Sequence, residues 1–517
     1  MNTTTKYDAI VVGAGHNGMA CAFYLARARR RVLVVDSADA VGGAARAVPF
    51  GGGTVPLAAG LDYGLSRRVV DDLELERHGL KFADADVGAT VIGNDDTRID
   101  YRLSRDDAAS LASVSAVDAA AWPAFRARLV RYAAILADIR HHVPPRLSGS
   151  GADARAWLAI AWKLRRLGRE DMREFLRIGA MNVFDLLEEE FRHPLFKGAL
   201  AAEAVIGHPL APHSPGSVLT LLLRFADGGG AAAMPAGGMS AVAAAMQAAC
   251  ASRGVAFRLD TRVVRIVVDD DRAIGVELDG GEVIEAPTVV SNVDARTTCL
   301  DLVGAGYFDT DLVRRLTHVR SRGVSARIDY WLDGGAPGGG ADLSRRLIHA
   351  GDSDAIERAF NHSKYGEVSA EPLVELVFPG RIDPGLRTGR GEAASALVQY
   401  APRAADDAGS RTAVAAATRT VVERMVPGLG ARIAAERVVL PADVERLTGA
   451  SGGHWHHGDI ALDQYFMLRP VPALARYALP VAGCWLCGAG SHPGGGISGL
   501  PGRNAALAIL SAAETGH

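Results

Sequence analysis

Cysteine, lysine and long apolar runs are all scarce in this 517-residue sequence. No apolar run approaches the roughly 18 residues that cross a bilayer, so any membrane contact is expected to be peripheral. The net charge of -3 offers no basic surplus and argues against a nucleic-acid partner. The cysteines are too few and too scattered for a disulfide framework, and we expect reduced thiols at Cys21, Cys250, Cys299, Cys484 and Cys487.

The N-terminal stretch MNTTTKYDAIVVGAG runs directly into a strand pattern. It lacks the basic region, apolar core and cleavage site of a signal peptide, so we expect a cytoplasmic location. The chain is longer than one hydrophobic core usually supports, which predicts two intertwined domains. With 49% hydrophobic and 22% charged residues, the composition is that of a packed globular protein.

The first motif is YDAIVVGAGHNGMACAFYLARARRRVLVVDS, which predicts a strand, a glycine turn, a helix and a second strand. Gly13 permits the tight turn, Gly15 lets backbone N–H groups approach a pyrophosphate, and Gly18 lets helix and strand pack closely. Asp36, at the end of the second strand, is placed to accept from ribose hydroxyls. Together with Asn17, inside the turn, these residues predict a dinucleotide site.

A glycine pair follows shortly after the acidic residue, in DSADAVGGAAR. Gly42 and Gly43, just ahead of Arg46, would allow a second close approach of backbone to phosphate. A glycine pair at this distance from the acidic residue of a dinucleotide-binding motif is typical of FAD enzymes. An ordinary loop is the alternative.

Another glycine-rich stretch, GAGSHPGGGISGLPG, lies between a predicted strand, VAGCWLCGAG, and a predicted helix, GLPGRNAALAILSAAE. A helix N-terminus directs N–H groups outward and suits the flavin edge where negative charge gathers on reduction. A side chain here would hold a flat ring away. We therefore assign Gly488, Gly495, Gly496 and Ile497 to the cofactor site.

These motifs resemble the phytoene desaturase-like FAD oxidoreductases, in the branch that includes pyridine nucleotide-disulfide oxidoreductase domain-containing proteins. The segment from Gly488 to Ile497 is similar to that family's C-terminal signature, with Ser491 in place of threonine. The segment from Met234 resembles the family's middle FAD section, where Val264 matches a position whose backbone meets the adenine. The resemblance implies bound FAD. The family's arginine directly after the glycine pair is Ala44 here, which leaves Arg46 as the candidate phosphate contact. The segment GGGTVPLAAGLDYG differs from the carotenoid enzymes, which predicts a substrate other than a C40 carotene.

The family resemblance implies an α/β fold with a discontinuous Rossmann-like FAD-binding domain of the glutathione reductase and amine oxidase type. We assign residues 1–100, 232–300 and 476–517 to this domain. Two insertions, 101–231 and 301–475, would form an α+β substrate domain. The first insertion shows helical periodicity, and the second carries strand-like runs such as SARIDYWL, PLVELVFP and ASALVQYA.

Two motifs suggest a redox disulfide and a metal site, but we interpret both differently. Cys484 and Cys487 have CxxC spacing, but on a strand their side chains point to opposite faces, which argues against a redox pair. The cluster GHWHHGD lacks a fourth ligand at zinc spacing, so we predict no metal site. His454, His456 and His492 are instead candidate acid, base or substrate groups, with packed or loop histidines as the alternative.

The stretch RAWLAIAWKLRRLGR, residues 155–169, predicts an amphipathic helix with apolar and basic sides. Peripheral docking on a membrane is one interpretation. Packing on the protein's own substrate domain is the interpretation we favour.

The resemblance implies dehydrogenation or desaturation of a hydrophobic or natural-product substrate, with hydride transfer to flavin N5. The sequence shows no second dinucleotide domain, which leaves oxygen or a quinone as the expected electron acceptor. An amine or amino-acid oxidase on the same scaffold is the first alternative. A non-redox flavin isomerase or a flavoprotein interaction module is the second.

Overall fold

The fold was obtained as a computed structural model that describes residues 7–106, 109–147, 149, 151–338, 340–389, 391–403 and 408–515. The first six residues assigned to the FAD domain, and its last two, lie outside the described part of the chain.

The described strands range from two to nine residues in length. In chain order they are β1 (Ala9–Val12), β2 (Val32–Val35), β3 (Ala47–Phe50), β4 (Gly53–Pro56), β5 (Phe82–Asp84), β6 (Ala89–Ile92), β7 (Arg98–Tyr101), β8 (Met234–Pro235), β9 (Ala256–Arg258), β10 (Val263–Asp269), β11 (Arg272–Leu278), β12 (Val283–Glu285), β13 (Val289–Ser291), β14 (Ser325–Asp333), β15 (Arg346–His349), β16 (Val374–Val377), β17 (Gly391–Gln399), β18 (Ile433–Val439) and β19 (Cys484–Leu486).

The described helices cluster between β7 and β8 and are scattered elsewhere. In chain order they are α1 (His16–Arg27), α2 (Arg67–Asp72), α3 (Ala109–Val114), α4 (Ala116–Arg140), α5 (Gly151–Arg166), α6 (Arg169–Ile178), α7 (Val183–Glu190), α8 (Pro194–Val205), α9 (Ser217–Ala226), α10 (Met239–Ser252), α11 (Thr310–Thr317), α12 (Ser353–Lys364), α13 (Pro379–Ile382), α14 (Ala408–Met425), α15 (Pro441–Thr448) and α16 (Leu500–Thr515).

A parallel sheet of five strands, in the order β19-β13-β1-β2-β9, forms the cofactor half of the molecule. Its first two strands, AIVV and VLVV, are apolar throughout and fully buried, as expected of a sheet covered on both faces. One face packs on α1, α10 and α16, and the other on the segment around β10 and β11. The predicted Rossmann-like architecture is confirmed.

A mixed sheet of seven strands, in the order β18-β14-β17-β16-β15-β6-β7, forms the other half. The runs SARIDYWL, PLVELVFP and ASALVQYA supply β14, β16 and β17, as predicted. Helices α3, α4 and α6 to α9 pack over part of one face, and α14 covers the other face. The first insertion is helical and the second supplies most of the sheet, as the periodicities indicated.

The first domain boundary differs from the assignment made above. Residues 89–101, which we placed in the FAD domain, form β6 and β7 of the seven-stranded sheet, because β6 pairs in parallel with β15. Strand β6, with the sequence ATVI, is mostly apolar and fully buried, like the strands of the cofactor sheet. Its pattern therefore does not reveal which sheet it joins.

Helix α5 covers residues 151–166 and packs beside α4 and α6. Trp157 donates from Nε1 to the carbonyl of Arg146, and Arg476 pairs with Asp153 at 3.2 Å, which ties the helix to its own protein. Leu158 and Trp162 nevertheless point outward, 68% and 64% exposed. Peripheral membrane contact at this helix stays a prediction. Among the described residues, no helix is both long enough and apolar enough to cross a bilayer.

Helices α1 and α16 cross at a glycine. A Cβ built on Gly502 would lie 1.9 Å from the carbonyl oxygen of Asn17 and 3.0 Å from the amide of Cys21. Because both neighbours are backbone atoms, the helices must separate to admit even a methyl group. Gly502 therefore fixes how closely the last helix approaches the first.

We expect Gly502→Ala to destabilise the protein by about 1–3 kcal/mol, the usual cost of overpacking a tight core. Thermal unfolding followed by circular dichroism measures the effect. Gly306→Ala is the matched control, because a Cβ at Gly306 meets no atom within 4 Å and its φ is not left-handed. Equal melting temperatures for the two variants would contradict the tight crossing.

Candidate cofactor and substrate site

The turn before α1 is shaped by three glycines. Gly13 has a φ of 104°, and a Cβ on Gly18 would lie 2.1 Å from the Gly13 carbonyl oxygen. Gly15 is the N-cap of α1 in an extended conformation, with no side-chain cap and no acidic residue in the first turn. The first N–H groups of α1 are therefore free of side-chain caps, which suits phosphate binding.

Asp36 follows β2 and holds the glycine turn in place. Its Oδ2 accepts from the amide of Ala14 at 2.6 Å, and its Oδ1 accepts from the amide of Ala38 at 2.8 Å. Its own amide donates to the carbonyl of Arg258 in the neighbouring strand. The carboxylate thus stands at the carboxyl edge of the parallel sheet, where a ribose is expected.

Two asparagines complete this part of the site. Asn17 is 2% exposed, and its Oδ1 has no hydrogen-bond partner among the described residues. Asn292 follows β13, and a Cβ on Gly15 would lie 2.8 Å from its Nδ2. We did not single out Asn292 in the sequence. The available signal was its position directly after a buried strand, at the same sheet edge as Gly13.

The second glycine pair closes against the first turn. Gly42 and Gly43 have φ values of 116° and 56°, and the Gly42 amide donates to the Ala14 carbonyl at 2.9 Å. Arg46 donates from Nε to the Gly43 carbonyl and from Nη2 to the Leu447 carbonyl. These bonds hold Arg46 beside the pair, and its contact with phosphate stays a prediction.

Val264 lies in β10, at a bulge. The register moves from Val263 opposite Leu278 to Arg265 opposite Glu277, so Val264 is the extra residue. Its side chain is 41% exposed, whereas Val263 is buried. A bulge interrupts the ladder and frees backbone groups, which is compatible with the predicted adenine contact.

The later glycine stretch joins β19 to α16, as predicted. A Cβ on Gly488 would lie 2.4 Å from the Asn292 carbonyl oxygen, so the stretch packs on the sheet edge. Gly496 has a φ of 87°, and its carbonyl lies 3.1 Å from Nε2 of His16. Gly495, Gly496 and Ile497 then line a cavity shared by the two halves of the molecule.

Of the three histidine candidates, only His456 lines this cavity. Its Nδ1 accepts from the amide of Gly496 at 2.9 Å, and its ring occupies the space a Cβ on Gly495 would need. Burial and the neighbouring His208 lower the pKa of His456 well below its usual value, so the ring is neutral.

His454 and His492 lie outside the cavity lining. His454 is buried, its Nδ1 accepts from the amide of His456, and its Nε2 lies 3.7 Å from Asp459. His492 is buried with its Nε2 3.1 Å from the carbonyl of Ile139. Both fit the alternative of packed histidines, and the structure brings neither into the cavity with His456.

The two cysteines of the CxxC motif lie in different parts of the core. Cys484 packs on one face of the parallel sheet and Cys487 on the other, as strand alternation requires. All five cysteines are buried and unpaired. Within the described ranges, no group of three or more His, Cys, Asp or Glu side chains is placed to hold a metal ion.

The cavity wall contains a cluster of buried charges that the sequence did not predict. Arg346 pairs with Glu203 and, at 2.9 Å, with Glu375, while Arg224 pairs with Glu203 at 2.9 Å. Burial alone would raise the pKa of Glu203, but Arg346 and Arg224 lower it to about 2. Tyr63 donates its hydroxyl to Glu375 at 2.5 Å. These residues come from distant parts of the chain, and no local pattern links them.

Burial of neutral histidines predicts acid lability. Burial lowers the pKa of His492 from 6.5 to about 3, so below pH 6.5 the unfolded chain takes up a proton that the folded protein does not. Stability should fall as pH drops from 6.5 towards 3, by up to about 1.4 kcal/mol per pH unit for each such group. His492→Gln should flatten this dependence in pH-resolved thermal melts. The control is His318→Gln, because His318 is exposed. A slope unchanged by His492→Gln would contradict the prediction.

Known proteins resemble this chain along nearly its whole length. The mouse (Mus musculus) pyridine nucleotide-disulfide oxidoreductase domain-containing protein 2 is 29% identical, covering 98% of this chain and 93% of its own. A phytoene desaturase (neurosporene-forming) from Cereibacter sphaeroides is 26% identical, covering 97% and 94%. These relatives bear out the phytoene desaturase-like resemblance.

The fold is that of a solved flavoenzyme structure. Wild-type putrescine oxidase bound to putrescine superposes with a TM-score of 0.61 at 15% identity, covering 98% of this chain and 99% of that one. The profile of the family described as flavin containing amine oxidoreductase matches residues 18–316, more than half of the sequence. The chain belongs to this family of FAD-dependent oxidoreductases.

Proposed function

We propose that this FAD-dependent oxidoreductase dehydrogenates or desaturates a substrate with a large apolar part. The observation that carries the proposal is the cavity between the two halves. Its lining runs from the glycine stretch of the cofactor half to the inner face of the seven-stranded sheet. Apolar side chains supply much of the wall, namely Leu61, Ile206, Leu223, Val377, Leu397 and Ile460.

The residues of the cofactor half fit FAD. The glycine turn and the uncapped start of α1 would take the pyrophosphate, and Asp36 the adenosine ribose. Gly496 leaves room for a flat ring, since a Cβ there would meet no atom within 4 Å, whereas a side chain at Gly495 would overlap the ring of His456. When bound, FAD supplies an acceptor for a hydride from a substrate C–H bond.

The cavity's own residues would orient the substrate, exclude water and take up a proton. His456 is neutral at the cavity wall, with Nδ1 accepting from Gly496 and Nε2 3.2 Å from the indole N–H of Trp455. A neutral imidazole offers one lone pair, so these two donors compete for it. His456 is a weak base. Release of one of these hydrogen bonds would free the lone pair to take up a substrate proton.

Amine oxidation is less well supported by this cavity. Tyr63 and Trp455 are the aromatic residues in its lining. The ring of Tyr63 already faces the guanidinium groups of Arg224, at 4.4 Å, and Arg346, at 5.5 Å. A substrate ammonium would meet these cations rather than a free aromatic face. We therefore place dehydrogenation of a non-cationic substrate first.

The electron acceptor is also part of the proposal. The described residues contain one parallel five-stranded sheet of the dinucleotide-binding kind. We propose that oxygen or a quinone reoxidises the flavin, because the described part of the chain offers no second site for a nicotinamide dinucleotide.

Gly15→Val should abolish flavin retention. A Cβ at this position would lie 2.8 Å from the side-chain nitrogen Nδ2 of Asn292. The larger valine side chain would also fill the approach to the start of α1. The ratio of flavin absorbance to protein absorbance after purification measures the loss. Gly306→Val serves as the control, because open space surrounds that glycine. Full flavin content in Gly15→Val would place the cofactor elsewhere.

Anaerobic bleaching of the flavin tests the reaction itself. Among candidate compounds, apolar or amphipathic substrates with an activated C–H bond should bleach the flavin and yield the desaturated product in stoichiometric amounts. Amines should not bleach it or release peroxide in air.

His456→Gln should slow bleaching by about 10²–10⁴-fold if the imidazole takes up the proton, with His318→Gln as the control. Product formed without net oxidation would favour a non-redox isomerase.

A further inference from the structure

The floor of the cavity is one face of the seven-stranded sheet, and it is charged. Arg327 lies opposite Leu397, and Asp329 opposite Ser395, across β14 and β17. On the next pair, Glu375 lies opposite Leu397. Residues two apart on a strand share a face, so these side chains all point the same way.

Two groups of charges in the cavity wall are internally balanced. Arg346 and Arg224 meet Glu203 and Glu375, two cations against two anions. Arg140 pairs with Asp227 at 2.8 Å, one against one. Neither group carries a surplus charge, although Nη1 of Arg224 and Nε of Arg346 are buried without a hydrogen-bond partner among the described residues.

A third group is not balanced. Asp329 is fully buried and lies between two arginines, 2.9 Å from Nε of Arg327 and 3.0 Å from Nη1 of Arg437. Its Oδ1 also accepts from the hydroxyl of Ser395 at 2.6 Å. One carboxylate therefore faces two guanidinium groups, which leaves a surplus positive charge.

The surplus charge reaches the cavity at Arg327. This residue is 6% exposed and lines the cavity, and its Nη1 donates to the carbonyl of Ala58 at 3.3 Å. Its Nη2 is buried and has no hydrogen-bond partner among the described residues. A buried guanidinium N–H without an acceptor destabilises the protein, and a hydrogen bond to an anion offsets this loss best.

We propose that the substrate carries a carboxylate, bound by Arg327 and attached to the apolar part that the remaining walls hold. This inference rests on the proposed function, because it names the substrate class of the same cavity. A single carboxylate neutralises the surplus charge. A phosphate dianion would exceed it, and an ammonium would add to it.

The test uses the purified, flavin-loaded protein and four probes of one chain length, namely octanoate, octanamide, octylamine and octyl phosphate. Isothermal titration calorimetry measures each dissociation constant. Octanoate should bind at least about tenfold more tightly than octanamide, and octylamine and octyl phosphate should bind more weakly than octanoate.

Variants assign the preference to Arg327. Arg327→Gln should bring the octanoate-to-octanamide ratio close to one, and Arg327→Lys should keep a preference for octanoate. Arg437→Gln removes the surplus charge at a residue outside the cavity lining, so it should reduce the ratio even if Arg327→Gln fails to fold. Arg419→Gln is the matched control, because Arg419 pairs with Glu436 away from this floor and should leave the ratio unchanged.

The inference would be overturned by equal binding of octanoate and octanamide, by no binding of octanoate at millimolar concentration, or by an unchanged ratio in Arg327→Gln and Arg437→Gln. Tighter binding of octyl phosphate would also overturn it. Because binding needs no turnover, the two proposals fail separately. If neutral substrates bleach the flavin at the same rate in Arg327→Gln as in the unaltered protein, the proposal of a substrate carboxylate fails and the proposal of a dehydrogenase stands.

Discussion

The structure depends on how closely separate backbone segments approach one another at the edge of the parallel sheet. The turn at Gly13, the second glycine pair and the stretch at Gly488 all pack against one another or against Asn292. A Cβ on Gly18 or Gly488 would lie 2.1 or 2.4 Å from a backbone oxygen, and a Cβ on Gly15 would lie 2.8 Å from the side-chain amide of Asn292, so these positions exclude a side chain. Three regions far apart in the chain thereby form one continuous surface for an elongated cofactor.

The cofactor half could be predicted because its signals are local. Strand, turn and helix follow one another within a few residues around Gly15, and the spacing itself reports the required backbone geometry. The seven-stranded sheet was predicted only as strands. The order of strands in a sheet depends on contacts between segments that are distant in the sequence. The sequence of β6 is mostly apolar, as in both sheets, so it does not show that β6 pairs with β15.

The charged floor could not be predicted, for a related reason. Arg224, Arg327 and Arg346 stand far apart in sequence and meet only after α9, β14 and β15 have packed. An isolated arginine in a sequence is usually a solvated side chain. Likewise, the three histidines could not be separated in advance, because only the path of the loop places His456 against Gly496.

Helix α16 and the glycines before it are translated last among the elements that form the cofactor surface. Until they are made, the crossing at Gly502 and the wall at Gly495 do not exist. A nascent chain that has already folded β1, α1 and β2 would hold only an open half-cleft. The complete flavin-binding surface therefore forms only once α16 has been synthesised and has packed on α1.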